Sequence, residues 1–228
     1  MDQLNKIFSI EKNNQGVVLN IADGSGKLIA ISLGNQIERY LPGQFIFHEQ
    51  NTVDGLYFIL NGFVKVFKNN DYKDQIVRLS KSGDILGHRG IGKKKYPVSA
   101  TALTETTVVF VEKKTFFELL YHHAAFAVSV LSWFAEELDF EENKLRDFSN
   151  FSVFEKGKKA LLLVAHYFGL DDENHIQHID KLSRKELGEL VGLTANQMSK
   201  VLKSLTIDKI IDLEDGKVKV LKSDKLQL

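Results

Sequence analysis

The side chains best placed to do chemistry in this 228-residue chain lie in one stretch, LSRKELGELVGLTANQMSKVLKSL, from Leu182 to Leu205. Ser183 and Glu186 have the S-x-x-E form of a capping box, and Thr194 and Gln197, eleven residues on, have the T-x-x-Q form. In each, the hydroxyl accepts from a first-turn N–H while the Glu or Gln side chain reaches back to the cap residue's own N–H. Leu182 with Leu187, and Leu193 with Met198, supply the apolar staples. Gly192 between them tolerates the positive φ of a tight connection. The spacing predicts two short helices joined by a glycine turn, a helix-turn-helix. On the second helix Met198, Val201, Leu202 and Leu205 repeat at i, i+3, i+4, i+7 and predict a buried stripe. Ala195, Asn196, Ser199, Lys200 and Lys203 share the opposite face, and no acidic side chain interrupts it. Such a face can enter the major groove of duplex DNA, with its N-terminal residues at base edges and its lysines near phosphate. Ser183, Arg184, Thr194 and, further on, Lys217 complete the set expected at DNA. The alternative is an ordinary amphipathic pair of surface helices.

Other chemistry finds less support. Histidines stand at His48, His88, His122, His123, His166, His175 and His178, but none forms H-x-H, H-E-x-x-H or another metal-ligand spacing. No P-loop, nucleophile elbow or G-x-G-x-x-G fingerprint is present. With no cysteine there is no disulfide, thiolate nucleophile or cysteine-held iron–sulfur cluster. The chain therefore does not read as an enzyme, and no catalytic or metal residue is assigned. A cupin-like metal enzyme is the alternative that stoichiometric metal in the purified protein would revive.

The elements that must position the helix pair follow from the rest of the chain. Apolar residues make up 43%, and thirty basic residues balance thirty acidic ones, so no global cationic field advertises nucleic acid. No N-terminal stretch has the form of a signal peptide, and the apolar run Ala124 to Ala135 is too short for a bilayer. A soluble, cytoplasmic protein with no membrane partner is expected. Up to Tyr40, the runs Val17–Ile21 and Leu28–Leu33 around Asp23-Gly24-Ser25-Gly26 predict a hairpin. From Leu41 to Val111 short strands alternate with turns, Leu56–Leu60 and Phe63–Phe67 flanking Asn61-Gly62 as a tight hairpin would. Such spacing predicts an antiparallel sandwich or roll.

Beyond Lys113 the pattern is helical: Thr115–Tyr121, then a long helix from Ala124 to about Phe148. Leu131, Phe134, Leu138, Leu145 and Phe148 keep a 3–4 spacing interrupted at Glu141, and predict a seam for pairing with a second copy. Packing of that stripe on its own roll is the alternative. Asn150 to Ser152 reads as a hinge. A helix over Lys158–Phe168 precedes the helix-turn-helix, and Lys209–Leu213 and Lys217–Leu221 around Glu214-Asp215-Gly216 follow it as a wing hairpin. Lys217 and Lys219 alternate along the wing strand, within reach of phosphate. The expected class is α+β, in three parts: a roll over 1–123, a pairing helix and hinge over 124–150, and a winged helix-turn-helix over 151–228.

In this order the parts resemble the Crp/Fnr family of bacterial transcription regulators. The resemblance rests on LYFILNGFVKV from Leu56 to Val66, SGDILG from Ser82 to Gly87, SATA from Ser99 to Ala102, and Leu182 to Leu205. It implies a cyclic-nucleotide-binding-type roll and a homodimeric regulator on double-stranded DNA, with RNA polymerase as a partner where it activates. The chain departs from the cAMP-responsive members. They carry a Glu after the loop glycine and an Arg before the Ser, where this chain has His88 after Gly87 and Val98 before Ser99. Valine supplies neither the charge nor the paired donors with which a guanidinium clamps phosphate. Their long helix offers a Thr–Ser pair to the purine, and the nearest positions here are Glu141 and Glu142, which would repel an anion. The resemblance thus argues against cAMP and identifies no cofactor. Gly87, His88, Arg89, Val98, Ser99 and Glu141 remain as an effector pocket of changed chemistry. The cationic loop through Lys93, Lys94 and Lys95 could receive an unidentified small anion. Ala195, Asn196 and Lys200 stand where better-known members have Arg, Glu and a second Arg, which implies another preferred operator. A signalling module of the same roll that regulates a protein partner is the second alternative.

Overall fold

The computed structural model describes residues 8–13, 16–22, 28–34, 36–70, 73–214 and 216–226. By their packing, the residues fall into two compact units, Met1–Lys68 with Ser80–Glu142, and Asn69–Leu79 with Asn143–Leu228.

The first unit is built on antiparallel sheets. β1 (Phe8–Asn13), β2 (Gly16–Ala22) and β3 (Leu28–Gly34) form a meander in which Ile21 faces Phe8 across one ladder and Ile29 across the other. The expected β2–β3 hairpin is thus present, β1 precedes it, and its Asp23–Gly26 turn lies outside the described residues. One four-stranded sheet has the order β4-β11-β6-β9, from Ile37–Tyr40, Thr106–Glu112, Gly55–Asn61 and Ile85–Leu86. The other takes β5, β10 and β7 in that order, from Phe45–Phe47, Ser99–Ala102 and Val64–Asn70, while β8 (Lys73–Ser80) falls almost wholly in the second unit.

Asn61-Gly62 does make a turn, with Gly62 at φ 97°, but β6 and β7 belong to different sheets. The expected hairpin is instead a corner. β6 takes β11 and β9 as partners, while the Phe63 N–H and carbonyl are held by Thr104 Oγ1 and the Leu103 N–H. The dipeptide fixes the reversal of direction, and long-range pairing decides the ladder.

Alternation along β6 sorts its side chains between two interiors. Leu56 and Phe58 join Val109, Val111 and Ile85 in one buried cluster with residues of α1 (Lys113–His122) and α2 (Ala124–Asn150). Phe116 and Leu119 come from α1, and Phe126, Val130 and Trp133 from α2. Tyr57 points to the other side, 5.6 Å from the Phe47 ring and 5.0 Å from Phe110.

The second unit holds the C-terminal elements. α3 (Val153–Phe168) starts earlier than the sequence suggested, because Ser152 and Glu155 close a third capping box. α4 (Arg184–Glu189) and α5 (Ala195–Ile207) form the expected helix pair. β12 (Ile211–Glu214) and β13 (Lys217–Val220) form the wing, and a short α6 (Ser223–Leu226) follows. The wing pairs Ile211 with Val220 and Glu214 with Lys217, and the Ile176 N–H extends it by donating to the Val218 carbonyl. The roll, the helices and the winged helix pair together are an α+β fold. No helix among the described residues is long and apolar enough to cross a membrane.

Candidate nucleic-acid interface and effector region

Both expected capping boxes at the helix pair are closed. Ser183 Oγ accepts from the Glu186 N–H at 3.2 Å, and Glu186 Oε2 accepts from the Ser183 N–H at 2.8 Å. Thr194 Oγ1 accepts from the Gln197 N–H at 3.3 Å, and Gln197 Oε1 accepts from the Thr194 N–H at 2.9 Å. Each hydroxyl also donates to its Glu or Gln partner, so Ser183 and Thr194 are engaged in helix starts rather than free for DNA. Leu182, Leu187, Leu193 and Met198 are all buried, as staples require.

Gly192 takes the connection with φ 71°, and Gly188 lets the turn close over α4. The Leu193 N–H donates to the Gly188 carbonyl, and a Cβ on Gly188 would stand 2.6 Å from the Leu193 oxygen. Met198, Val201, Leu202 and Leu205 are buried, whereas Asn196, Ser199, Lys200 and Lys203 are exposed or partly exposed and Ala195 and Arg184 lie at the start of their helices. The first turn of α5 has no acidic residue, which leaves the positive end of the helix dipole open to an anion. Lys217 is exposed on the wing opposite Glu214, while Lys219 is half-buried opposite Asp212. Lys217 is the better placed of the two for a phosphate.

Within this unit lies a buried polar contact that the sequence did not disclose. The Ile76 N–H donates to Glu189 Oε2 on α4 at 3.2 Å, and Lys144 Nζ donates to the Val77 carbonyl at 2.9 Å. Glu189 is 6% exposed among Leu187, Leu190 and Val191. A lone carboxylate in that apolar run was the available signal, though nothing in the sequence named its partner. Glu189→Leu is expected to cost about 1–3 kcal/mol of stability, because a buried N–H loses its acceptor. Glu189→Gln keeps an acceptor oxygen and should lose less. Urea denaturation of both variants checks this.

The expected effector residues separate into two groups. Gly87 turns at φ 83° into a single 3-10 turn, His88–Gly90. There Arg89 Nη2 meets Glu141 Oε1 at 2.7 Å and Glu137 Oε1 at 4.0 Å. His88 Nε2 lies 2.6 Å from Glu137 Oε2, and its ring lies edge-on to Trp133 at 4.5 Å. Gly87, His88, Arg89 and Glu141 are thus brought together. Val98 and Ser99 are buried in and beside β10, where Ser99 Oγ accepts from the Glu49 N–H at 2.9 Å. The Ser99 hydroxyl is therefore already engaged inside the roll.

Tyr96, absent from the expected set, stacks on Phe47 at 4.3 Å and lies against the loop so closely that a Cβ on Gly87 would sit 3.0 Å from its ring. Its hydroxyl donates to the Gly55 carbonyl at 2.8 Å. Burial pushes the phenols of Tyr57 and Tyr96 up, in Tyr57 reinforced by the neighbouring Tyr96, so both stay neutral at physiological pH. Glu137 and Glu141 lie one helical turn apart and both face the turn that carries His88 and Arg89. That spacing puts both carboxylates on one face of α2, and their partners are within the chain, so they are not left to repel a ligand.

α2 presents a second face. Leu131, Leu138 and Leu145 are 68%, 62% and 66% exposed, as the seam requires. Phe134 and Phe148 are not on that face. Phe134 is partly buried against the core beside Trp133, and Phe148 is half-buried with Lys144 Nζ over its ring at 5.6 Å. Exposed Val128, Ala135 and Glu142 take the intervening positions, giving a 3-4-3-4-3 repeat from Val128 to Leu145. The aromatic pair followed the same rough spacing one position off the stripe, and packing at home claimed it.

Comparison with known proteins adds the following. Residues 37–123 match the family model described as cyclic nucleotide-binding domain. The HTH-type transcriptional regulator Cmr of Mycobacterium tuberculosis is 24% identical over 177 residues, covering 77% of this chain and 68% of that protein. The transcriptional activator protein Anr of Pseudomonas protegens is 23% identical over 211 residues, covering 92% and 84%. Among solved structures, TTHB099, a CRP-family transcriptional regulator from Thermus thermophilus, superposes with a TM-score of 0.70 at 20% identity. That match covers 83% of this chain and 94% of the other.

Proposed function

Because this chain belongs to the Crp/Fnr family of transcription regulators, we propose that it binds DNA sequence-specifically as a homodimer and that its roll does not answer to cAMP. The observation that carries the reading is the doubly capped helix pair, whose outer face bears Asn196, Ser199, Lys200 and Lys203 without an acid. Asn196 has the donor and acceptor to read adenine, and Lys200 a donor for guanine. Two copies pairing along the exposed stripe of α2 would set two recognition helices about 34 Å apart, one turn of DNA, on a pseudo-palindromic site. The roll would act by shifting the population between binding-competent and incompetent dimers. RNA polymerase is the partner if the protein activates, and occlusion alone suffices if it represses. Either role places it in the cytoplasm with the DNA.

Against cAMP stand the pairing of Arg89 with Glu141, the commitment of Ser99 to Glu49, and the Tyr96 ring against the loop. An anion would have to displace carboxylates from Arg89 to reach it. Calorimetry with cAMP is expected to give no heat, and binding would overturn this part of the reading.

The test of the whole is a mobility shift with DNA upstream of the protein's own gene, repeated across salt, since phosphate contacts make affinity fall steeply with ionic strength. Absence of a shift at low salt would remove the DNA-binding reading. Lys200→Ala is expected to weaken binding to a selected operator by about 1–3 kcal/mol and to relax the preference at one base pair.

A further inference from the structure

We propose that His88 and Glu137 form a proton-operated latch between the 3-10 turn and α2, so that the proton is itself the effector of the roll. The part of this inference that concerns operator binding rests on the DNA-binding reading above.

The number of protons at the contact is fixed by its geometry. His88 Nδ1 lies 2.9 Å from the Ile85 carbonyl oxygen, and Nε2 lies 2.6 Å from Glu137 Oε2. A carbonyl oxygen and a carboxylate oxygen only accept, and an imidazole with one N–H cannot donate to both. The Ile85 contact therefore requires the proton on Nδ1, and the close approach of Nε2 to Oε2, a charge contact rather than an aligned hydrogen bond, requires a second proton held by the pair. That second proton belongs to the pair, whether written as imidazolium with carboxylate or as neutral imidazole with carboxylic acid. When it leaves, a nitrogen lone pair faces a carboxylate oxygen at contact distance. His88 is only 6% exposed there, so water screens the repulsion poorly, and the contact opens.

Among the described residues, the charged neighbours do not cancel this change. From the turn, Arg89 approaches Glu137 at 4.0 Å and holds Glu141 at 2.7 Å. From α2 come Glu137 and Glu141 themselves, with Trp133 and Phe134 as apolar walls at 4.5 and 5.8 Å from the His88 ring. β9 presents the Ile85 carbonyl. A guanidinium keeps its charge over the whole range, so Arg89–Glu141 persists and His88–Glu137 is the part that lets go. α2 carries the latch on one face and Leu131 and Leu138 on the other. Latched, its pairing face is fixed; unlatched, that face is held less firmly and pairing weakens.

Trp133 is the chain's only tryptophan and touches the His88 ring, so its emission reports the charge state beside it. The full-length protein is titrated without DNA between about pH 5 and about pH 8, where histidine changes charge. Circular dichroism confirms that the fold persists. The wild type is expected to show one transition in Trp133 emission. Glu137→Gln, which removes the carboxylate that holds the second proton at the contact, is expected to show none in this range. In parallel, anisotropy on a selected operator should show affinity falling on the order of tenfold through the same transition in the wild type, with no step there in Glu137→Gln. A flat wild-type trace, a transition that survives in Glu137→Gln, or an equal loss of operator affinity in both proteins would each overturn the proposal. If the emission step disappears in Glu137→Gln but neither protein shifts DNA at any pH or salt, the latch stands and the DNA-binding reading fails.

Discussion

Gly188→Val is expected to reduce operator affinity to the level of mixed-sequence DNA. The Cβ that valine adds would stand 2.6 Å from the Leu193 oxygen, 3.2 Å from its carbonyl carbon and 3.3 Å from the Thr194 oxygen. All three are backbone atoms of the turn, so no side-chain rotation relieves the clash. The turn must move outward, and Thr194 is the cap from which α5 starts. Over-packing in a well-filled site costs about 1–3 kcal/mol, a loss that thermal melting will read. The effect on binding is larger, because a displaced α5 loses its base contacts together. Specific and non-specific affinities typically differ by about 10³–10⁷, so a loss on the order of a thousandfold or more is expected. Competition between the selected operator and mixed-sequence DNA measures it. Intact discrimination in Gly188→Val would mean that α5 is not the reading element.

The second large effect is expected from Leu131→Glu with Leu138→Glu. Both side chains are mostly exposed in the single chain, so the change should barely alter the stability of the protomer. In a paired dimer the same positions meet across the seam, and four buried carboxylates without partners cannot be accommodated there. Sedimentation is expected to give a dimer for the wild type and a monomer for the double variant. Operator affinity should fall by about 10²–10⁴, the typical advantage of holding two half-sites at once. A double variant that stays dimeric would place the interface elsewhere. Phe134→Ala provides the contrast, since that ring packs on Trp133 at 5.1 Å. It should cost stability before it affects pairing.

Local chemistry explains what could be read in advance. The two capping boxes, the glycine turn and the buried stripe of α5 depend on neighbours a few residues away, and each stood where its pattern placed it. The third box at Ser152 and Glu155 carried the same signal and extends α3 by a turn. Long-range choices were not legible. Asn61-Gly62 announces a reversal, yet which sheet receives β7 depends on β10, more than thirty residues downstream. Phe134 and Leu138 look equivalent by periodicity, and only the position of Trp133 and the roll separates the buried one from the exposed one. In the effector region the sequence yielded a cationic loop and two repelling carboxylates. The folded chain joins Arg89 of that loop to Glu141, because a residue in a turn and another on a helix some fifty positions away have no shared pattern to betray them.

The hydrogen bond from Ile76 to Glu189 spans 113 positions, and that separation bears on the order in which the chain can fold as it is made. Asn69–Leu79 leaves the ribosome long before α4 exists, and at about 5–20 residues per second it waits for several seconds at least. The roll strands on either side can pair during that interval, but the buried N–H of Ile76 has no acceptor until the helix-turn-helix is complete. The C-terminal unit is therefore not a module that folds after a finished roll. A piece of its structure is laid down in advance, and a fragment starting at the hinge would be born without it.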